Sequence, residues 1–198
     1  LQPNIRPQMV KAKAQSGGPL KILFLGNIIP RKGLHFLLSA LEPIKEDWTL
    51  DVIGEHRDPK YTQAIQKYIS KSKARNRVTI MGNVSNSVLS EQLNKSHVLA
   101  VPSSYEGFGI CYIEGMGFGL PAIATTSGAA GETIQHGING FLCNHNDVLS
   151  LTRQISRLCN DRRLLANMGV AALETYTKHP TWQANTKNIR DFLIANIT

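Results

Sequence analysis

Six short apolar runs, all but the last closing on or just before a glycine, proline or hydroxyl residue, recur through the first three quarters of the chain. They are KILFLG (Lys21 to Gly26), LDVIG (Leu50 to Gly54), RVTIMG (Arg77 to Gly82), HVLAVPS (His97 to Ser103), PAIATT (Pro121 to Thr126) and GFLC (Gly140 to Cys143). Runs this short and this continuous in apolar character are what strands buried on both faces of a parallel sheet look like. Between them, GLHFLLSALEPI, YTQAIQKYISKSKA, VLSEQLNKS and ICYIEGMGFG have the length and apolar spacing of crossover helices. The expectation is a doubly wound, Rossmann-like α/β domain with a parallel sheet.

After Asn146 the pattern is helical, with helices expected over Val148 to Cys159, Arg162 to Tyr176 and Thr181 to Ala195. Residues 1 to 19 hold Pro3, Pro7, Gly17 and Gly18 with few apolar pairs and read as a linker or arm, leaving 20 to 198 as the domain. No apolar run approaches the roughly 18 residues that span a bilayer, and the start lacks a signal-peptide core. Cys111, Cys143 and Cys159 are widely spaced in apolar surroundings, which favours reduced thiols and a cytoplasmic location. A formal charge of +8 permits an anionic partner without choosing one.

In doubly wound folds ligands bind beyond the carboxyl ends of the strands. After the first strand, "GNIIPRKG" carries Gly26 into a helix start, which offers free backbone N–H groups and a helix dipole to an anion. The spacing fits neither the dinucleotide fingerprint nor a P-loop. Lys32 and its neighbour Arg31 are the cations placed to meet a diphosphate. After the fourth strand, Glu106 precedes the Gly107-Phe108-Gly109 turn, and Glu114 falls one turn into the following helix. Both carboxylates then border one crevice, where they suit vicinal hydroxyls such as those of ribose and sugars.

"GNIIPRKGLHFLLSAL" followed by "SSYEGFGICYIEGMGFGLPAIAT" resembles the retaining glycosyltransferases of family 4, which have the GT-B fold and carry two glutamates with seven residues between them ahead of a G-x-P segment. "GETIQHGINGFLC" is similar to the segment that follows that signature, and the likeness runs from about Leu20 to the C-terminal helix. The resemblance implies the C-terminal, donor-binding half of such an enzyme, with a UDP-, GDP- or ADP-sugar as donor substrate and no cofactor or metal. It implies Glu106 at hydroxyls of the transferred sugar and Glu114 at the ribose diol. It also implies the amides of Phe108, Gly109 and Ile110 at the sugar or distal phosphate, Lys32 at the diphosphate, and Gly26 allowing close approach.

The nucleobase is expected near Gly82, Asn83 and Val84. The family usually has Arg after the glycine equivalent to Gly26, where this chain has Asn27, so Arg31 is the expected substitute cation. Lys32 and Glu106 are the residues implied to act in catalysis, with Lys32 and the amides stabilising charge on the departing diphosphate.

A complete enzyme of this kind needs a second, acceptor-binding domain of roughly 150 residues. With Leu at position 1, the chain is therefore expected to be a C-terminal piece that binds donor and transfers little sugar alone, its acceptor a saccharide or a lipid-linked molecule. Peripheral membrane contact is expected only of the full-length enzyme. The competing expectation is a non-enzymatic Rossmann-like module for a nucleotide or protein partner. The basic clusters Lys67, Lys71, Lys73, Arg75, Arg77 and Arg153, Arg157, Arg162, Arg163 lack interleaved aromatics, which argues against nucleic acid. They read first as solvated helix faces, with an anionic membrane surface as the lesser reading.

Overall fold

The computed structural model describes residues 3–180 and 182–197, so Leu1 and Gln2 of the expected arm and Thr181 at the expected start of the last helix lie outside the described residues. The chain runs through α1 (Pro7–Gln15), β1 (Leu20–Leu25), α2 (Leu34–Leu41), β2 (Trp48–Ile53), α3 (Pro59–Lys71), β3 (Val78–Gly82), α4 (Asn86–Lys95) and β4 (Val98–Ala100). It continues through α5 (Ile110–Gly117), β5 (Ala122–Thr125), α6 (Ala130–Thr133), β6 (Gly140–Cys143), α7 (Val148–Asn160), α8 (Arg162–Lys178) and α9 (Trp182–Ile197).

The strands form one parallel sheet in the order β3-β2-β1-β4-β5-β6, with Ile22 of β1 opposite Leu50 on one side and Val98 on the other. Direction of travel reverses between β1 and β4, the switch point at which ligands sit in such sheets. Central strands are covered on both faces: Leu20, Ile22, Leu23 and Phe24 are all buried, as are all residues of β4 and β5. Unbroken apolar runs follow from that double burial, because neither face has a solvated row for polar residues to occupy.

Helix starts are set by local chemistry. Asp58, Ser85, Asp147 and Asp161 each accept a hydrogen bond from a backbone N–H in the first turn of the helix they precede. Within α7, Leu151, Ile155 and Leu158 recur at helical spacing and are buried, while the exposed Arg153 lies on the opposite face.

The segment expected as an arm contains α1. Its two buried residues, Val10 and Ala14, are one turn apart and face the domain, and a Cβ at Gly119 or Gly169 would collide with Val10. Lys13 Nζ donates to the carbonyl of Phe118 at 3.0 Å, at the C-terminal end of α5. Nine residues are too few for a helix to be stable by itself, so the packing of its two buried residues makes it.

The two glycines inside α5 also have packing reasons. A Cβ on Gly115 would press on Leu99 of β4, and one on Gly117 would meet Pro3 and the ring of Tyr176. Each cost in helix propensity of about 1 kcal/mol relative to Ala is thus exchanged for close contact with a neighbour.

Candidate functional site

The loop after β1 is anchored at its middle by Ile28, which is fully buried and whose N–H donates to the carbonyl of Glu55 at 2.8 Å. A short 3-10 turn over Pro30–Lys32 follows and ends on Gly33 at φ 72. Gly33 lies so close to the end of β4 that any Cβ would collide with the Pro102 carbonyl. Left-handed backbone and this close approach together demand glycine, and they aim Lys32 back across the loop. A Cβ at Gly26 would stand 3.4 Å from Cε of Lys32, so the lysine stem lies along the bare backbone of that glycine.

Lys32 Nζ stands 2.7 Å from Oε2 of Glu106, and both side chains are 12% exposed. Ser103 Oγ donates to the same carboxylate oxygen at 3.0 Å. The backbone of Glu106 is fixed as well, since its carbonyl accepts from the N–H of Ala129 at 2.7 Å and it forms an isolated parallel bridge with Gly128. Gly128, at φ 78, leaves no room for a Cβ against the Glu106 carbonyl. Thr125 Oγ1 in turn donates to the carbonyl of Ser103. The loops after β1, β4 and β5 therefore meet at one carboxylate, whose second oxygen accepts no hydrogen bond among the described residues.

Beyond Glu106, Gly107 and Phe108 are exposed, Phe108 by 83%, and Gly109 at φ 65 opens α5. Among the described residues the backbone N–H groups of Phe108, Gly109 and Ile110 donate to no protein acceptor. Free amides at the N-terminus of a helix form a receptor for an anion. The buried hydroxyl of Tyr112 donates to the carbonyl of Val101 at 2.8 Å, which pins the inner face of α5 to the end of β4.

Glu114 is half-buried on α5 and makes no hydrogen bond or ion pair among the described residues. Cys111 reports how closely the charged groups gather. Burial, with smaller contributions from the Glu106 and Glu114 carboxylates, pushes its thiol up to about 12 against the opposing pull of the Lys32 ammonium. A thiol held protonated in this way is inert at neutral pH.

Arg31 is exposed, and its guanidinium donates to the carbonyl of Tyr105 at 2.6 Å, while the N–H of Ser104 donates to the Arg31 carbonyl at 2.8 Å. It ties the loop after β1 to the loop after β4. Asn27 is half-buried beside Gly26. Gly82, Asn83 and Val84 stand apart from this group, because β3 is separated from β1 by β2. Two strand spacings correspond to about 10 Å. Between the two positions lies the loop after β2, where Nε2 of His56 is 3.5 Å from the Cβ position of Gly82.

Sequence reasoning passed over Ser103, Thr125, Gly128 and His56. A hydroxyl three residues before Glu106 was the available signal for Ser103. Nothing local marked the other three, whose positions depend on neighbouring strands. No cluster of three or more His, Cys, Asp or Glu suited to a metal ion occurs among the described residues. No helix among them is long and apolar enough to cross a membrane.

Residues 6–175 match the family model of glycosyl transferases group 1, and the chain belongs to that family. An uncharacterized glycosyltransferase of Methanocaldococcus jannaschii is 31% identical over 85% of this chain and 46% of its own length. The GDP-mannose-dependent alpha-(1-6)-phosphatidylinositol monomannoside mannosyltransferase of Mycobacterium tuberculosis is 28% identical over 87% of this chain and 46% of its own. Among solved structures, Anabaena HepE in complex with UDP and glucose superposes with a TM-score of 0.83 at 22% identity, covering 96% of this chain and 53% of that one. The chain thus spans about half the length of the curated relatives it matches.

Proposed function

We propose that this member of the glycosyl transferases group 1 family is the donor-binding half of a retaining, family 4 glycosyltransferase, which takes a hexosyl group from a nucleotide-diphospho-sugar to a saccharide or lipid-linked acceptor. The observation that carries the reading is the meeting of Lys32 and Glu106 beside the unengaged amides that open α5. The mycobacterial relative is named for its use of GDP-mannose, and the Anabaena structure holds UDP and glucose, which supports a nucleotide sugar as the donor class. Family membership does not favour a non-enzymatic module.

In this reading the diphosphate lies over Gly26 and the start of α5, where the Phe108, Gly109 and Ile110 amides and the Lys32 ammonium face it. Charge that builds on the leaving diphosphate is met by donors already in place, so little reorganisation is needed. Lys32 is held by Glu106 in the resting site and is shared with phosphate oxygens when donor binds. The unengaged oxygen of Glu106 accepts from sugar hydroxyls, and Glu114, which has no partner among the described residues, accepts from the ribose diol. Arg31 stands in for the arginine absent at Asn27 by bracing the Tyr105 carbonyl, and a small displacement brings its guanidinium to phosphate. The base extends toward Gly82, Asn83 and Val84, across His56.

An acceptor-binding domain outside this chain completes the crevice, so the chain alone binds donor and transfers little or no sugar. Calorimetric titration with UDP-, GDP- and ADP-sugars tests the proposal. Saturable binding of at least one is expected, and failure of all three at millimolar concentration would overturn it.

A further inference from the structure

At the amino ends of β2 and β3, on the edge of the sheet opposite the crevice, the structure has a cavity of about 640 Å³ between the loop after α2 and the turn after α3. Trp48, the first residue of β2, lines it and is 2% exposed. The indole Nε1–H is buried and has no hydrogen-bond partner among the described residues. Buried donors are nearly always satisfied, so an orphan donor on a residue that lines a cavity points to an acceptor that the cavity admits.

The rest of the lining supplies donors and positive charge. The Arg77 guanidinium lies 5.5 Å over the Trp48 ring and is anchored by the carbonyl of Glu46 at 3.1 Å and by Asp47 at 3.3 Å. Two bonds leave further N–H groups of its fork for a ligand. Lys45, Lys71 and Lys73 border the same cavity, are exposed, and make no ion pair or hydrogen bond among the described residues. Glu42, the acidic residue of the lining, already accepts from the Tyr68 hydroxyl at 3.0 Å.

We infer that this cavity is a second anion site, separate from the donor crevice, that binds a phosphate group carried as a monoester or diester. Ammonium point charges, an arginine fork and an indole N–H are all donors, and a phosphate offers several oxygens to them at once. Nε1 has no solvent contact in the resting arrangement because it is covered. In the complex, Arg77 swings outward onto the phosphate, and one phosphate oxygen reaches the indole. A soluble phosphorylated molecule and a phospholipid headgroup present this same group, so the test separates them.

The 198-residue chain is titrated with inorganic phosphate in a Trp182→Phe background, so that Trp48 alone reports by fluorescence. It is also sedimented with phosphatidylcholine vesicles prepared with and without phosphatidylglycerol. Expected is a saturable change in Trp48 emission, selective sedimentation with the anionic vesicles, or both. Response to phosphate alone assigns the site to a soluble ligand, and response to anionic vesicles alone to a headgroup.

Lys71→Ala/Lys73→Ala, which alters only exposed side chains, should weaken whichever response occurs by at least about tenfold while leaving UDP affinity unchanged. Trp48→Phe keeps an aromatic ring but removes the N–H and the fluorescence reporter, so it is read by calorimetric phosphate titration and by vesicle sedimentation, and it should weaken binding less. Absence of any response, or a response that survives the double lysine variant, overturns the inference. The measured UDP affinity keeps this result independent of the donor proposal.

Discussion

Lys32 Nζ lies 2.7 Å from Oε2 of Glu106, joining two loops whose residues are 74 positions apart in the chain. Each charge neutralises the other in a largely buried setting, so neither residue can be altered without exposing the demands of its partner.

Lys32→Ala removes the cation from the diphosphate and leaves a carboxylate buried without its charge partner, a change that costs about 3 kcal/mol. Both a fall in thermal midpoint and a loss of UDP affinity are expected. Retention of wild-type UDP affinity in calorimetry would remove Lys32 from the proposed site.

Glu106→Gln keeps the Ser103 hydrogen bond and frees the ammonium for phosphate. UDP should therefore bind as before or up to about tenfold tighter, while the preference for a UDP-sugar over UDP falls. If free nucleotide and nucleotide sugar weaken together, Glu106 does not read the sugar.

Glu114→Ala deletes a carboxylate with no partner among the described residues, so stability should change little. Losing a hydrogen bond to a charged group is worth about 1.5 to 3 kcal/mol, and nucleotide and nucleotide sugar should weaken alike by roughly tenfold to a hundredfold. Titration of UDP against uracil-free ribose phosphates separates this diol contact from any contact with the base.

Gly33→Ala meets both a left-handed backbone and the Pro102 carbonyl, whereas Gly137→Ala, at φ 81, meets open space. The second change should cost only the conformational penalty of about 1 to 2 kcal/mol. The first should cost more and should also abolish UDP binding by moving Lys32. Equal denaturation midpoints for the two variants would show that the close approach carries no weight.

His97 gives an acid dependence. Burial, then the charges of Arg162, Lys13 and Lys21, lowers its imidazole from 6.5 to about 4, and its Nδ1 accepts from the Lys21 N–H at 3.0 Å. The unfolded chain binds a proton below pH 6.5 that the folded chain refuses until about pH 4. Stability is therefore complete above pH 6.5 and falls as pH drops toward 4, by up to about 3 kcal/mol. His97→Asn, which keeps an acceptor near the Nδ1 position, should flatten this limb in urea titrations; an unchanged slope would assign it to other groups.

Strands and crossover helices were legible because burial on both faces writes itself as unbroken apolar runs, and β6 has the same bounds in sequence and structure, Gly140–Cys143. Helix α1 was not legible, since only Val10 and Ala14 carry its packing. Four-residue α6 is too short for periodicity to show. At the crevice, residue types and loop positions could be read, but the pairing of Lys32 with Glu106 could not. That pairing depends on Gly33 passing beneath Pro102, a contact between chain segments with no local signature.

Helix α5 is gripped at its far end, where Val10 seats against Gly119 and Lys13 holds the Phe118 carbonyl, while its near end opens onto the crevice. Eight residues make a rod about 12 Å long, too short to bend appreciably. The segment that reads as an arm in the sequence thus closes one end of the helix whose other end carries the Gly109 amide.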